Sequence, residues 1–567
     1  MSTKRLSALL PSPGLLALAL IPLGFLTLFY FYPLFEIFKL SLFPGGRFAA
    51  DGLRPLLEKT YYLRVLWFTI WQATVSTLGA LALGLPAAYI FARYRFPGKS
   101  LFRALTTLPF VMPTVVVATA FTALLGPRGV LNEALMQAFG LDAPPIALQG
   151  TIWIILLAHI FYNTSVIIRM VGGFWANLDP RLGAAAATLG AGPWARFRHI
   201  TAPLLLPAII AASLLVFLFN FTSFGVILIL GGPGFATLEV EIYRSAVRLF
   251  NLPVAAVLAL VQMAFTLTLM AIYTRLQARL TTRLDFRPGE HTQKWPRTLG
   301  ERIYVYGVLA ILGVFLLSPL AALVWRSFSL GGEFGIQHYQ NLFVNRTGSI
   351  FFVTPIEAVR NSLGFAAVTV LFSLLIGVSS AYLLAGNDRR KRGCLSSILD
   401  PIFMLPLGTS AVTLGFGYIV ALDEPPLNLR TSLLIIPIAH TLIAFPFVLR
   451  ALLPILRGMN PNLREAASSL GASPRRVLRH VDLPILARAL VVGVIFAFTI
   501  SMGEFGATLL ISRPQFPTLP VAIYRFLGQP GLSNYGQALA LSVILLLTTA
   551  VGFLAIENLR YGDIGEF

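Results

Sequence analysis

Residues with the types and spacing that chemistry requires are few in this sequence. The six histidines form no close pair on one helix face. The single cysteine, Cys394, excludes a disulfide framework and a metal site built from several cysteines. No HExxH, paired CxxC or GxSxG pattern occurs. We therefore expect no catalytic residue, no metal site and no cofactor in this chain.

One short segment has the composition of a phosphate-binding turn. Residues 93–100 read RYRFPGKS, which ends like a P-loop, but the first glycine is missing and the segment follows an apolar helix, with no preceding strand. We interpret it as a basic turn between helices and expect no nucleotide site there.

Glu504, in the sequence SMGEFG, is the polar residue inside an apolar stretch that most clearly calls for an explanation. A charge at the centre of a membrane span costs about 2.5–3.5 kcal/mol on insertion scales, so such a residue suggests a function. Its counterparts in an internal repeat of the chain are Asn220 and Ser223. The carboxylate can line a pathway and favour a cation, pair with a neighbouring helix, or cap a glycine-flanked break. We take Asn220, Ser223 and Glu504 as candidate pathway residues.

Other buried polar side chains favour structural roles. We interpret His159 and His440 as buried, hydrogen-bonded side chains, not ligands. Gln72, Gln262 and Asn163 are typical of contacts between membrane helices.

The amino-acid composition indicates the class of protein in which these residues are positioned. Hydrophobic types make up 57% of the 567 residues. Charged types make up 12%, whereas a soluble globular chain carries about 25%. This excludes a soluble enzyme, a disordered protein and a nucleic-acid-binding domain. The net charge of +20 is explained by Lys and Arg in cytoplasmic loops of a membrane protein.

The apolar segments predict an all-α membrane protein with about twelve transmembrane helices, since a span needs roughly 20 apolar residues. The predicted spans are 15–35, 66–92, 106–126, 150–172, 203–230, 254–278, 303–325, 359–386, 398–421, 432–454, 484–511 and 536–557. The first follows Lys4 and Arg5 like a signal peptide. Its length and aromatic end favour a retained helix.

Basic clusters set the expected orientation. They occur at Arg93 to Arg103, at Arg275 to Arg302, and at Arg389 to Arg392. With these loops inside, the chain follows the positive-inside bias. We predict a multi-pass protein of a bacterial or archaeal plasma (inner) membrane with both termini in the cytoplasm.

The chain contains an internal repeat. A shift of 281 residues aligns 178–203 with 459–484, and 11 of the 26 positions are identical. We expect a first half at 1–278 (core 65–278), a basic linker at 279–302 and a second half at 303–567 (core 358–557). Six helices in each half make the halves parallel, related by a pseudo-two-fold axis along the membrane normal.

The best-matched segment of the repeat is a cytoplasmic loop with the same local pattern in both halves. Asp179 and Asn460 are N-cap residues followed by proline, and Gly190 and Gly471 end a short Ala-rich helix. A basic second helix then starts at a proline. The loop residues that we single out are Ala184, Ala185, Ala186, Gly190, Pro193, Glu465, Ala466, Ala467, Gly471 and Pro474. The residues alone leave two interpretations open. The Ala face is small enough to fit closely into a groove, or the loop is a packing element without a partner or lies on anionic lipid through its arginines.

Glu465-Ala466-Ala467, followed by Gly471 and Pro484, resembles the EAA loop of permease subunits of binding-protein-dependent ABC importers. The first copy matches except that Ala184 replaces the glutamate. The segments ending in TLEVEIYR and TLPVAIYR are similar to the ferric-iron and thiamine importer group.

The resemblance implies a duplicated type-I transmembrane domain. Each loop is then expected to dock on one ATP-binding subunit of a dimer, which binds ATP and Mg²⁺, and Glu465 to face a basic group there. The loops at 231–253 and 512–535 are either ordinary turns or receive the lobes of an extracytoplasmic solute-binding protein. The implied solute is ferric iron or thiamine.

Two other classes remain as alternatives. A twelve-helix secondary transporter driven by an ion gradient also has parallel halves, but it is expected to carry more intramembrane carboxylates. A scaffold protein of the membrane has no need for two matched loops.

Overall fold

The computed structural model describes residues 13–43, 60–280, 293–329, 334–344, 353–385, 392–423, 425 and 427–560. Within them, eleven helices are long and apolar enough to cross a membrane. A twelfth span results if Ile398–Gly408 and Ala411–Ala421, bent by 94°, count as one. Beyond helices, the described residues contain an isolated β-bridge between Tyr94 and Lys294. The prediction of an all-α membrane protein with about twelve spans is confirmed.

The helices of the first sequence half alternate between long spans and short connecting helices. In chain order they are α1 (Pro13–Leu26), α2 (Tyr32–Leu42), α3 (Thr60–Arg93), α4 (Lys99–Val111), α5 (Thr114–Leu125), α6 (Val130–Phe139), α7 (Ile152–Ala176), α8 (Pro180–Thr188), α9 (Pro193–Arg196), α10 (Ala202–Phe221), α11 (Gly225–Leu230), α12 (Leu238–Tyr243) and α13 (Leu252–Leu280).

The second sequence half repeats this order closely. Its helices are α14 (Leu299–Ser329), α15 (Gln337–Gln340), α16 (Pro355–Ala385), α17 (Arg392–Met404), α18 (Ala411–Ala421), α19 (Ile435–Gly458), α20 (Pro461–Ser469), α21 (Pro474–Val477), α22 (Leu483–Gly503), α23 (Gly506–Ile511), α24 (Leu519–Leu527) and α25 (Leu532–Arg560).

Four spans predicted as continuous helices are interrupted, among them 398–421, which bends by 94° before α18. The segment 106–126 is divided between α4 and α5, because Met112 precedes a proline and takes an extended conformation with ψ of 140°. The segments 203–230 and 484–511 are divided at equivalent positions, before α11 and before α23. In the second of these, Glu504 is extended with ψ of 125°, which ends α22.

The compact units of the structure differ from the sequence halves in the first helices of each half and in α24 and α25 near the end of the chain. Unit 1 contains the described residues of Met1–Ala49, Leu342–Ala522 and Leu547–Phe567, and unit 2 contains those of Ala50–Asn341 and Ile523–Leu546. The first helices of the chain, α1 and α2, therefore belong to unit 1, which contains most of the second sequence half. Helix α14 belongs to unit 2, which contains most of the first sequence half.

Hydrogen bonds and ring contacts hold these exchanged helices. In unit 1, Tyr30, between α1 and α2, shares a 2.7 Å hydrogen bond with Thr409 Oγ1. In unit 2, the ring of Phe315 on α14 lies 6.2 Å from that of Phe161. The predicted halves 1–278 and 303–567 therefore describe the sequence repeat, and the compact units cut across them.

Close helix packing repeats in both units at a glycine. A Cβ added at Gly84 of α3 would lie 2.7 Å from Cβ of Ile167, and one added at Gly377 of α16 would lie 2.7 Å from Cγ1 of Val448. The two pairs are equivalent in the repeat. Small residues let membrane helices approach closely, so the duplication extends from the sequence to the packing of α3 on α7 and of α16 on α19.

Some predictions fall outside the described residues. These are the middle of the linker 279–302, the basic run at 389–391 and both chain termini.

Candidate functional site

The first repeated loop (residues 178–203) has the predicted local structure. Asp179 caps α8 by accepting a 2.9 Å hydrogen bond from the backbone N–H of Arg181. Gly190 has φ of 84°, a conformation that a side chain disfavours, and it ends the loop helix. The short helix α9 then continues through a π-helical segment, Phe197–Thr201, directly into the span α10.

The second repeated loop (residues 459–484) has the same structure. The Asn460 side chain accepts a 3.0 Å hydrogen bond from the N–H of Asn462, and Gly471 has φ of 81°. Its second helix passes through the π-helical segment Leu478–Asp482 into α22. Each loop is therefore a two-helix projection that is continuous with the span that follows it.

Both loops expose apolar side chains at matching positions. Leu189 and Leu470 are each 88% exposed, and Leu182 and Leu463 are about half exposed. Among the singled-out residues, Ala184, Ala185, Glu465 and Ala466 are exposed, while Ala186 and Ala467 are half-buried. An apolar surface at the same place on two loops is typical of a protein contact. Among the singled-out residues, the two loops differ only at the exposed pair Ala184 and Glu465.

A buried carboxylate at the end of the second loop was missed by the sequence analysis. Asp482 accepts a 2.8 Å hydrogen bond from Nε of Arg464 on α20 and one of 3.3 Å from the Tyr382 hydroxyl on α16. The sequence does carry a signal, since Asp482 stands two residues before Pro484 at the start of a span.

Glu504 is buried and serves as a helix cap. Its Oε1 accepts from the backbone N–H of Ala507 at 2.8 Å, and its Oε2 accepts from that of Thr508 at 2.9 Å, at the start of α23. Nε2 of His440 lies 3.4 Å from the same Oε2. Of the three roles that the sequence left open for Glu504, the structure shows two. The carboxylate caps α23, and it pairs with His440 on the neighbouring helix α19.

His440 connects that cap to the preceding span. Its Nδ1 lies 2.8 Å from the Ser501 hydroxyl, and its Nε2 lies 2.8 Å from the Thr508 hydroxyl. The prediction that His440 is a buried, hydrogen-bonded side chain is confirmed.

The first half contains an equivalent cluster without a carboxylate. His159 lies 2.8 Å from the Ser223 hydroxyl through Nε2 and 3.2 Å from that of Ser76 through Nδ1. Asn163 donates a 2.7 Å hydrogen bond to Oδ1 of Asn220, whose backbone carbonyl accepts one of 2.8 Å from Gln72. The amides therefore join helices, as predicted, and Ser223 stands where the other half has Glu504.

The segments TLEVEIYR and TLPVAIYR begin their helices in the same way. The backbone N–H of Leu238 donates to Thr69 Oγ1 at 3.1 Å, and that of Leu519 donates to Ser362 Oγ at 2.7 Å. The first segment alone buries two acids, which the sequence analysis did not single out. Of these, Glu241 accepts a 2.8 Å hydrogen bond from the Tyr61 hydroxyl, while Gln262 donates to Glu239.

The basic turn at 93–100 is used structurally. The Lys99 ammonium donates to the backbone carbonyls of Phe91 and Tyr94, at 2.7 and 2.8 Å, at the end of α3. Burial raises the pKa of the Tyr94 phenol, and the nearby Tyr89 and Glu301 raise it further. The part of the chain that the structure describes contains no group of three or more His, Cys, Asp or Glu residues arranged to hold a metal ion.

Comparison with known proteins gives two family-domain matches in this chain. The family model described as "Binding-protein-dependent transport system inner membrane component" matches residues 80–282 and 355–560. The first match begins in the first half and ends four residues into the linker, the second lies within the second half, and each includes one repeated loop.

Full-length relatives also match. The thiamine transport system permease protein ThiP of Brucella abortus (strain 2308) is 29% identical over 500 residues, which are 86% of each chain. That of Escherichia coli (strain K12) is 28% identical, over 88% of this chain and 90% of its own. A probable ABC transporter permease protein of Sinorhizobium fredii is 26% identical, over 90% and 89%. Among solved structures, a bacterial ABC transporter involved in the import of alginate matches with 18% identity and a TM-score of 0.39, over 47% of this chain and 96% of its own.

Proposed function

The chain belongs to the family of binding-protein-dependent transport system inner membrane components, with both family domains in one polypeptide, and we propose that its two repeated loops couple it to ATP-binding subunits. The family makes the chain the permease subunit of an importer. The alternative of a secondary transporter driven by an ion gradient is not favoured, because the matched relatives are permease subunits of ABC transport systems.

The observation that carries the coupling role is the matched surface of the two loops. Each presents a capped short helix, a leucine that is 88% exposed and an alanine face, at equivalent positions. Such a surface fits a groove on a folded protein, and two copies fit a dimer. ATP and Mg²⁺ are bound by that dimer, and its closure displaces the loops together with the spans α10 and α22 that continue from them.

We propose that both loops and both termini lie in the cytoplasm, where ATP is available, and that the chain spans the inner membrane. The basic residues around the turn at 93–100 support this orientation through the positive-inside bias. On the opposite face, the loops at 231–253 and 512–535 would receive an extracytoplasmic solute-binding protein.

We propose thiamine or a similar small organic cation as the solute. Several matched relatives are named as thiamine transport permeases, at identities of 25–29%. Ferric iron is the second candidate, supported by the resemblance of the closing segments. Uptake of labelled thiamine and of ferric iron by reconstituted vesicles distinguishes the two solutes.

The coupling role is tested by co-expressing the chain with its ATP-binding subunits and binding protein, and by measuring assembly and ATP-dependent uptake in proteoliposomes. Glu465→Lys places a positive charge against the expected basic group of the partner, and Gly471→Pro replaces a residue whose φ of 81° proline cannot adopt. We expect both variants to remain in the membrane and to lose uptake.

A matched control makes the same charge change away from the loops. Glu357 on α16 is partly exposed and makes a long 3.9 Å ion pair with Arg360, so Glu357→Lys should leave uptake near the wild-type level. Normal uptake by Glu465→Lys and Gly471→Pro would overturn the coupling assignment. So would transport by the purified polypeptide without an ATPase.

A further inference from the structure

The second loop is tied to the membrane-spanning part of unit 1 by three side chains from three segments. Arg464 lies on the loop helix α20, Asp482 ends the π-helical segment Leu478–Asp482, and Tyr382 lies near the end of α16. The Asp482 carboxylate accepts from both others, at 2.8 and 3.3 Å. We call these three residues the loop triad.

The triad is buried enough to restrict the loop. The Asp482 side chain is 7% exposed and that of Arg464 is 27% exposed. A buried carboxylate is tolerated only when it is paired and hydrogen-bonded, and removing one partner of such a pair is strongly unfavourable. Movement of α20 away from the π-helical segment would separate the ion pair, and movement of that segment away from α16 would break the Tyr382 hydrogen bond, so the triad resists both movements.

Among the described residues, the first loop forms no ion pair equivalent to that of Arg464 and Asp482. In the repeat alignment, Gly183 stands for Arg464, Thr201 for Asp482 and Tyr89 for Tyr382. The Tyr89 ring packs on that of Trp175 at 5.1 Å. A guanidinium reaches the first loop from α3, where Arg93 donates to the backbone carbonyl of Leu178 at 3.3 Å. That contact holds the entry of the loop.

From this difference we infer that Arg464, Asp482 and Tyr382 are positioning residues for coupling: they make the second loop helix move as one body with α16 and the start of α22. The inference rests on the proposed coupling function, because a displacement at the loop has to originate from a docked ATPase. The second loop then transmits that displacement directly to α16 and α22. The first loop helix, which lacks the triad, can move further before it displaces its neighbouring spans.

The mechanical part of the inference is tested on the chain alone. Spin labels at Ser469 of α20 and Leu371 of α16, both exposed in the structure, report the loop-to-span distance in a Cys394→Ser background. We expect a narrow distance distribution in the wild-type triad and a clearly broader one in Asp482→Asn and Arg464→Gln. Asp423→Asn, which removes an exposed ion pair with Arg430 elsewhere in unit 1, is the matched control and should leave the distribution unchanged.

The coupling part is tested in proteoliposomes holding the whole importer, by measuring ATP hydrolysis and solute uptake on the same preparation. In Asp482→Asn we expect hydrolysis to continue and the solute moved per ATP to fall about tenfold, the size of a typical coupling free energy. Tyr382→Phe removes one hydrogen bond and should lower the ratio about twofold. The charge-swapped pair Arg464→Asp with Asp482→Arg should restore part of the ratio, which a simple loss of folding would not allow.

The two measurements separate failure of the loop triad from failure of the proposed function. An unchanged distance distribution together with a wild-type solute-to-ATP ratio in Asp482→Asn would overturn the triad. If Asp482→Asn fails to accumulate, Tyr382→Phe and the charge-swapped pair provide the same two measurements. If the wild-type chain assembles with no ATPase, the proposed function fails, while the spin-label result still decides whether the triad holds the loop.

Discussion

His159 and His440 occupy the same place in the repeat and differ in what surrounds them. His159 contacts the hydroxyls of Ser76 and Ser223. His440 contacts the hydroxyls of Ser501 and Thr508 and also lies 3.4 Å from the Glu504 carboxylate. Both halves therefore keep the histidine and its two hydroxyl partners, while a carboxylate lies beside the histidine in the second half and a serine in the first.

The difference shows which features the duplicated fold requires and which features it leaves free. Both halves break the span that follows the repeated loop, and both place a histidine against the break. A neutral serine is sufficient at that position in the first half. The carboxylate of the second half is therefore an addition to the fold and a reason to expect a function that the first half lacks.

The largest effect should come from removing the histidine of the charged cluster. His440→Phe keeps a ring of similar shape and leaves the buried Glu504 without its neighbouring imidazole. We expect a loss of about 3 kcal/mol in the free energy of unfolding, at the lower end for a broken buried pair, because two backbone N–H groups still hold the carboxylate. The midpoint of unfolding by SDS titration in mixed micelles measures it.

The equivalent change in the neutral cluster is the control for this prediction. His159→Phe removes hydrogen bonds to two hydroxyl groups, and its expected cost is about 1 kcal/mol. Equal destabilisation by the two variants would show that the Glu504 carboxylate makes no difference to the cluster.

Much of the fold follows from the sequence for physical reasons. Apolar length identifies the spans, and the 281-residue shift aligns the halves and their loop caps. The break before α23 was raised only as one of three roles for Glu504, and the break before α11 was missed, because the apolar runs continue through both and hydropathy does not report backbone direction. The break between α4 and α5 was signalled by Pro113, which forces Met112 out of the helical conformation.

The exchange of α1 and α14 between the compact units was not predictable from the repeat. Hydropathy assigns each helix to the membrane and says nothing about which neighbours it contacts. The candidate residues divide in a similar way. The capping residues of the loops were predicted from local rules, whereas the Asp482 pairing depends on Tyr382, 100 residues away in the chain.

A second, smaller effect should be equal in the two halves, because it depends on the shared packing. Gly84→Ala and Gly377→Ala each place a methyl group 2.7 Å from a β-branched side chain on the neighbouring helix. Overpacking of this kind costs about 1–3 kcal/mol, so we expect about 2 kcal/mol for each variant in the same SDS titration.

Gly364→Ala provides the control for these glycine variants. Gly364 lies on α16, and a Cβ there has no atom within 4 Å, so the substitution should be neutral or slightly stabilising. Adding Val448→Ala to Gly377→Ala should recover part of the loss. A large difference between the two halves would mean that their packing is less alike than the geometry indicates.

The smallest effect on stability should come from Glu504→Gln, which tests whether the added charge has a role beyond the cap. A glutamine keeps one acceptor for the N–H groups of Ala507 and Thr508 and loses the other, at an expected cost of about 1 kcal/mol. If Glu504 lines the pathway, uptake of a cationic solute should fall about tenfold, equivalent to about 1.4 kcal/mol of lost interaction. Glu357→Gln, which removes a partly exposed carboxylate on α16, is the control and should leave uptake unchanged. Uptake of the cation at the wild-type rate in Glu504→Gln would make the pathway prediction wrong and leave the carboxylate as the cap of α23.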